Sequence, residues 1–587
     1  MKYAVLLAEL KRRKVFRVAA VYGATSFVML QIADIVFPSL GLPQWTITLV
    51  VALTVIGFPL AIALAWTFDS TGAGLRRTGP AQHGELEAIL AQPRSRRWPA
   101  GIAALLGVML LAGGTVWTVG FGGGGRAANY DSIAVLPFAN MSGDPENEYF
   151  GDGLAEELLN ALAGIEGLKV AARTSAFAFK GSNVDVRVIG DTLGVATVLE
   201  GSVRRSAGRV RITAQLIDAR TGYHLWSETY DRPLTELFTV QDAIAREIVT
   251  ALAGRLTTSQ EELYRGGTTD VEAYDLYLLG RQKWVTRNVP LLREAVQHFE
   301  RAIARDSSFA LAWSGLADAL DALAWRAPEE LGRVGEAKYA AQRALVLDPE
   351  LAEAWASLGV LALDFDRDFR VAELCLRRAI AFKPSYASAH RWLADALRYS
   401  GRVEESLAPG NQALGLDPAS ALGMNGMLET LSILGRWQEA RALVDRLRSL
   451  GYTDLGSLVN ILSAGPQLGF SAHDLEGFAI EWAGTRAYSN PDEAGVVGRA
   501  IVDQRLRPRA REVLGRMAAA RVNARHLAEL SVAIGDLDGA IANLTRTVEE
   551  GDPTIIVIGS DWAFDPLRRD PRFIRMVEQL GLPNGRP

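Results

Sequence analysis

Four carboxylates, Asp144, Glu146, Glu148 and Asp152, alternate with Gly143, Gly151 and Gly153 within SIAVLPFANMSGDPENEYFGDGLAEELLNAL, residues 132–162. An apolar strand that runs into a glycine-rich loop and then a helix is the layout of a phosphate cradle, because loop and helix-terminal amides point at the anion. A cradle of that kind also needs GxxxxGK[ST], and this stretch has no lysine in that register. The same carboxylates could hold calcium, but they miss the D-x-[DN]-x-[DN]-G spacing and its terminal glutamate. Acidic residues ahead of a helix also cap it and favour its dipole, and that structural role is what the loop is expected to play.

No other constellation suggests catalysis. His224 lies between Tyr223 and Trp226 with no histidine or cysteine nearby in sequence, which reads as a strand residue. The six histidines are scattered and form no Ser/His/Asp pattern. The single cysteine, Cys375, leaves neither an internal disulfide nor a cysteine-based zinc site. The expectation is no catalytic, cofactor-binding or metal residue, and no enzyme.

The elements around these residues are set by bulk properties. At 587 residues the length suits three or four domains. A charged fraction of 22% beside 49% hydrophobic residues argues against wholesale disorder. A net charge of −5 gives no support to nucleic-acid binding. Mean hydropathy of +0.10 is high and points to lipid. Three apolar stretches, 15–37, 46–68 and 98–120, each approach the ~20 residues that cross a bilayer, so residues 1–120 read as a membrane anchor. Lys11, Arg12, Arg13 and Lys14 precede the first stretch, and Arg76, Arg77, Arg94, Arg96 and Arg97 lie in the 69–97 connection. The positive-inside rule then places the N-terminus in the cytoplasm and everything beyond the third stretch in the periplasm of a bacterial inner-membrane protein. Asp34, near the outer end of the first stretch, reads as reaching the interface. The glycine-rich 121–128 reads as a tether.

From 129 to 256 strand and helix patterns alternate. Leu154, Leu158, Leu159 and Leu162 share a helical face. A second strand is expected over 168–179 and a second helix over 184–194. Three strands follow, with turns at Ala207-Gly208 and Thr221-Gly222, and then a helix over 234–256. The order is βαβαβββα, an α+β layer. SIAVLPFANMSGDPENEYFGDGLAEEL, VLEGSVRRSAGRVRITAQLIDARTGYHLWSETYDR and FTVQDAIAREIV closely resemble the TolB N-terminal-like domain of bacterial TPR proteins. The segment LKRRKVFRVAAVYGATSFVMLQIADIVFPSLGLP resembles the anchor of the same group. The resemblance implies a membrane protein with TPR repeats. In relatives it also implies a cytoplasmic class III adenylate cyclase or winged-helix module. The stretches left for the cytoplasm are too short for one, so that module is expected to be missing.

From 265 to 587 the pattern is helical and repeats with tetratricopeptide spacing. Ala295, Phe299 and Ala302 follow A-x3-F-x2-A, and Trp313 and Leu316 take first-helix positions in the next unit. Ala337, Ala341 and Ala344 repeat the pattern, as do Ala372, Leu376 and Ala379. Pro349 and Pro384 are 35 residues apart and Pro384 and Pro418 are 34 apart, where they would end second helices. Further units pass through Gly435, Ala440 and Val444 and through Gly535, Ala540 and Leu544. Residues 324–336 read as an insertion and 565–583 as a capping helix. Stacked repeats leave a concave groove that suits protein or peptide partners, and Trp355, Trp392 and Tyr399 are its candidate lining. Aromatics at such positions also serve as core. The expected fold class is thus a three-helix transmembrane anchor, an α+β TolB-N-like domain and an all-α TPR solenoid. The expected function is a non-enzymatic interaction scaffold, or alternatively a sensor that passes a signal to a separate output protein.

Overall fold

In the computed structural model the described residues are 131–252 and 267–584, except 166, 452–456 and 486–487. Residues 45–71, 74–77, 79 and isolated positions between 10 and 29 are also described. The chain divides into two compact units, Met1–Ala128 and Asn129–Pro587.

The first unit contains helix α1 (Trp45–Thr67), with Pro59 inside it, which leads into a hairpin of β1 (Phe68–Thr71) and β2 (Gly74–Arg77). Asp69 lies opposite Arg76 across that hairpin. Several residues in the first half of α1 have side chains outside the described residues, as do Asp34, the 98–120 stretch and the 121–128 tether. Among the described residues no helix is long and apolar enough to cross a membrane. This overturns the expected three-helix transmembrane anchor and the multi-pass inner-membrane localisation with periplasmic domains. It also removes the ground for lipid as a partner. Some apolar residues of the unit pack on one another, while Leu53, Ile56, Leu60 and Leu64 of α1 are exposed. Val15 and Ala19 are buried. The Tyr22 ring lies 5.8 Å from that of Phe58, and its hydroxyl donates to the Thr54 carbonyl at 2.9 Å.

The second unit opens with β3 (Ser132–Val135) and β4 (Ala139–Asn140), followed by α2 (Glu148–Ala163) and β5 (Lys169–Val170). Then come α3 (Arg173–Phe177), α4 (Val186–Leu193), β6 (Thr197–Ser206), β7 (Arg209–Asp218), β8 (His224–Pro233) and α5 (Leu237–Leu252). The sheet order is β5-β3-β6-β7-β8, with β4 also on β6. β3 runs parallel to β5 and β6, while β6, β7 and β8 are antiparallel. The β6–β7 turn falls at Ala207 and Gly208, both with positive φ, as a two-residue hairpin loop requires. Leu154, Leu158, Leu159 and Leu162 of α2 are all buried against this sheet's core.

The strand expected over 168–179 is cut short after Val170. The Ala172 amide instead donates to the Leu416 carbonyl of the helical region at 2.8 Å, and the chain turns into α3. Tertiary contact overrides local strand propensity at this point.

The rest is a mostly helical, TPR-like solenoid of antiparallel pairs. They are α6 (Val271–Trp284) with α7 (Val289–Arg305), α8 (Ala310–Arg326) with α9 (Val334–Leu347), and α10 (Ala352–Leu361) with α11 (Phe369–Phe382). Next are α12 (Ala387–Tyr399) with α13 (Val403–Leu416) and α14 (Ala421–Ile433) with α15 (Trp437–Ser449). Then follow α16 (Ser457–Ser463), α17 (Ala472–Thr485), α18 (Ala494–Ala500) and α19 (Arg507–Ala519). The last are α20 (Ala524–Ala533), α21 (Leu537–Glu549) and the terminal α22 (Pro571–Gln579). Residues 328–333 of the expected insertion form a short 3-10 turn. Pro349, Pro384 and Pro418 each stand two residues beyond a second helix, which cannot continue through them. Helix approach is close enough that a Cβ on Gly315 would come within 2.5 Å of the Phe299 ring.

The α+β layer is not a bead on a string. Its core, that of the first two helix pairs and part of α10 are one cluster, running from Ile133 through Phe299 to Leu361. Polar bonds extend the union further along the solenoid. Ser385 Oγ donates to the Leu168 carbonyl at 2.9 Å, Ser175 Oγ to Asp417 Oδ1 at 2.5 Å, and the Ala419 amide to Ser175 Oγ at 2.9 Å.

Candidate functional site

Among the described residues the opening loop bonds to its own chain, and Asp152 Oδ1 is buried with no hydrogen-bond partner. Asp144 accepts from the Glu146 amide at 2.9 Å and caps the 3-10 turn that leads into α2. Glu148 and Asp152 both reach Lys180, at 2.9 and 2.7 Å. His224 is exposed on β8, and no group of three or more potential metal ligands occurs among the described residues.

The polar chemistry lies inside the solenoid. Its first helices form one layer in which α6, α8, α10, α12, α14, α16 and α20 each contact the next. A row of charged and amide side chains runs along that layer. It starts on α2, where Glu156 takes Arg281 of α6 at 2.5 Å and Arg173 at 3.0 Å. Arg281 also approaches Asp318 of α8 at 3.6 Å, and Asp318 accepts from Ser357 of α10 at 2.6 Å. Glu353 of α10 pairs with Lys383, which also donates to Asn160 of α2 at 3.0 Å. On α12, Asp395 holds Arg391 at 2.8 Å and Arg398 at 3.0 Å, and Arg398 reaches Glu429 of α14 at 2.8 Å. Asn460 of α16 donates to Glu429 at 2.9 Å, and Arg525 pairs with Glu529 on α20.

The cations and carboxylates of these pairs balance, and the further carboxyls Glu157, Asp321, Asp364 and Asp561 tip the row towards acid, with burial deciding their charge. Burial opposes ionisation of Glu156, but Arg281 and Arg173 outweigh it and hold the carboxyl at about 2. Burial, reinforced by the Glu156 charge, lifts its neighbour Glu157 to about 7. Burial likewise lifts Asp321 to about 7, Asp561 to about 6 and Glu529 to about 8. It also raises Asp364 well above its ordinary value, with Asp321 and Asp395 adding to the effect. Among the described residues, Asp321 Oδ1 and Glu529 Oε2 are buried with no hydrogen-bond partner. Among the described residues the arrangement shows no nucleophile–base pair. It offers a half-buried, carboxylate-rich track that gains from a positive charge laid along it.

The three expected lining aromatics all pack on one cluster, which joins α10–α12 to the C-terminal residues Ile556, Phe564 and Phe573. Trp355 has its indole N–H committed to the Pro349 carbonyl at 2.9 Å. Trp313 makes the same bond to Ser307, and a His390 ring nitrogen lies 2.9 Å from the Pro384 carbonyl, so Trp355 braces its own loop. Trp392 and Tyr399 lie beside the charged row, with the Arg391 and Arg398 guanidinium groups over their rings at 5.1 and 4.7 Å. The charged row itself was missed by aromatic-led reasoning. Its sequence signal is LADAL, which occurs at 316–320 and 393–397 and puts Asp318 and Asp395 in the middle of apolar first helices.

No protein-family model matches the chain. A protein of Rhizobium meliloti (strain 1021) named "Putative adenylate cyclase 3" is 49% identical over 186 residues, which is 32% of this chain and 32% of that protein. The chain therefore spans about a third of this relative's length. A thermophilic TPR protein of Thermus thermophilus superposes with a TM-score of 0.24 at 19% identity, covering 34% of this chain and 94% of that one. Lipoprotein GNA1162 of Neisseria meningitidis gives 0.17 at 22% identity, covering 22% and 99%. Scores this low say nothing further about the fold.

Proposed function

We propose that the chain is a non-enzymatic protein-interaction scaffold whose first-helix layer takes an extended partner segment bearing basic side chains. The continuous carboxylate-rich row along α6 to α20 carries this reading, with the bare oxygens of Asp321 and Glu529 as its sharpest feature. The α+β layer, read as TolB-N-like from its sequence resemblance, braces one face of the solenoid through α2 and α3. The partial relative's cyclase name belongs to a protein of which this chain matches a third, and no catalytic constellation in the described site supports carrying that activity over.

The test is fluorescence anisotropy on the full chain with extended peptides of equal length, one set rich in Lys and Arg and one rich in Glu. The basic set is expected to bind, and Asp321→Asn with Asp364→Asn to weaken it about fivefold or more, as loss of a desolvated charge pair does. Equal affinity for the two sets would remove the reading. Turnover of ATP by the purified chain would remove the non-enzymatic part of it.

A further inference from the structure

A separate cleft opens where the α+β layer meets the first repeat. It has a volume of about 380 Å³, within the range of small-molecule sites. Glu157 of α2, Phe238 and Gln241 of α5, Tyr274 of α6 and Phe309 before α8 lie on its wall. Among the described residues the carboxylates on that wall are Glu157, Asp242 and Asp306, with no lysine, arginine or histidine beside them.

Two of these carboxylates are already engaged. Asp242 pairs with Arg246, and Asp306 accepts from Thr268 Oγ1 and from the Ser308 amide at 2.9 Å. Glu157 differs. It is 4% exposed, and its hydrogen bond at Oε1 comes from the neutral Tyr277 hydroxyl at 3.2 Å. Among the described residues it makes no ion pair, because Arg281 is spent on Glu156 and Lys383 on Glu353. Beside it stand aromatic rings. Phe238 and Tyr274 meet edge to face at 5.1 Å, and the Gln241 amide holds the Tyr274 hydroxyl at 2.6 Å, which fixes that ring.

A buried carboxylate with no ion pair of its own, beside aromatic rings in a cleft of ligand size, is a complementary environment for one class of molecule. We propose that this cleft binds a small organic ammonium ion, with Glu157 as counter-charge and Phe238 and Tyr274 as the aromatic walls. Anions are disfavoured because the charged groups on the described wall are carboxylates. Alkali cations gain little from the rings once the cost of stripping their water is met.

The probes are tetramethylammonium and 1,4-diaminobutane, titrated calorimetrically into the full chain with potassium chloride as control. One-site binding of at least one organic probe is expected, with affinity lost about tenfold in Glu157→Gln, which keeps the shape and removes the charge. Stronger binding of the quaternary probe would identify the rings as the main recognition element, and of the diamine the carboxylate; either supports the proposal. No binding of either probe, potassium binding as tight as theirs, or unchanged affinity in Glu157→Gln would overturn it. If Glu157→Gln does not fold, Phe238→Leu decides, since Phe238 is only half-buried on the cleft wall. Severalfold weaker tetramethylammonium binding sustains the proposal, and unchanged affinity ends it.

Discussion

At the scale of single residues, Lys383 shows why a charged row can sit inside a packed solenoid. Its ammonium is nearly buried and satisfied by Glu353 and Asn160, and its position next to Pro384 fixes where the stem leaves the chain. The cost of burying Glu353 would raise its pKa, but Lys383 outweighs burial and lowers it. Removing one partner of such a pair leaves an uncompensated charge and costs about 3–5 kcal/mol. Lys383→Met is therefore expected to destabilise the second unit by an amount in that range, measured by urea denaturation. Adding Glu353→Leu should restore most of the loss, because the pair as a whole contributes far less than its breaking costs. If the double variant is no better than the single one, the ammonium's main role is its bond to Asn160 and not its pairing with Glu353.

At the scale of elements, the α+β layer and the solenoid are joined at three places along the repeats, namely α6, the α11–α12 turn and the α13–α14 turn. The two turns contribute through Ser385 and Asp417. Ser385→Ala with Asp417→Asn should loosen β5 and α3 while leaving the repeat helices intact. Hydrogen exchange is expected to speed up over 168–177 and stay unchanged over α12 and α13. Equal acceleration in both would mean the turns hold the solenoid itself together. These same contacts mark the limit of what the sequence could tell. The repeat helices were readable because Ala295, Phe299 and Ala302 obey a local spacing that only needs the neighbouring helix. The end of the strand after Val170 was not readable, because it depends on Leu416, more than two hundred residues away. The apolar stretches at 15–37 and 46–68 misled for a related reason. Apolarity alone does not say what surrounds a segment, and Leu53, Ile56, Leu60 and Leu64 of α1 are exposed. The candidate aromatics drew attention to ring size, whereas the site's chemistry lies in small acidic residues that periodicity counts as ordinary exceptions.

At the scale of the whole molecule, the buried carboxyls make stability a function of pH. Burial lifts Glu157 and Asp321 to about 7 and Glu529 to about 8, well above the ordinary carboxyl value near ~4.3. Between the ordinary and the raised value the folded chain binds more protons than the unfolded one, so stability falls as pH rises. His298 and His390, lowered by burial, act in the opposite direction, an effect that fades over about one pH unit above their ordinary value near ~6.5. Groups held low, such as Glu156, are ionised in both states above pH 6.5 and add no slope. Over the window from pH 6.5 to pH 8 the three raised carboxyls outweigh the two histidines. The thermal midpoint of the second unit is expected to fall across it, with Glu529 alone contributing about 1 kcal/mol per pH unit. Glu529→Gln should flatten the fall. A basic partner on the row favours the ionised carboxylates, so linkage requires its affinity to rise over the same window in which the free chain loses stability. Anisotropy with the Lys- and Arg-rich peptide at pH 6.5 and pH 8 measures this directly. Tighter binding at pH 8 ties the proton sites to the partner site, and weaker binding at pH 8 would separate them and leave the raised carboxyls as a property of the core alone.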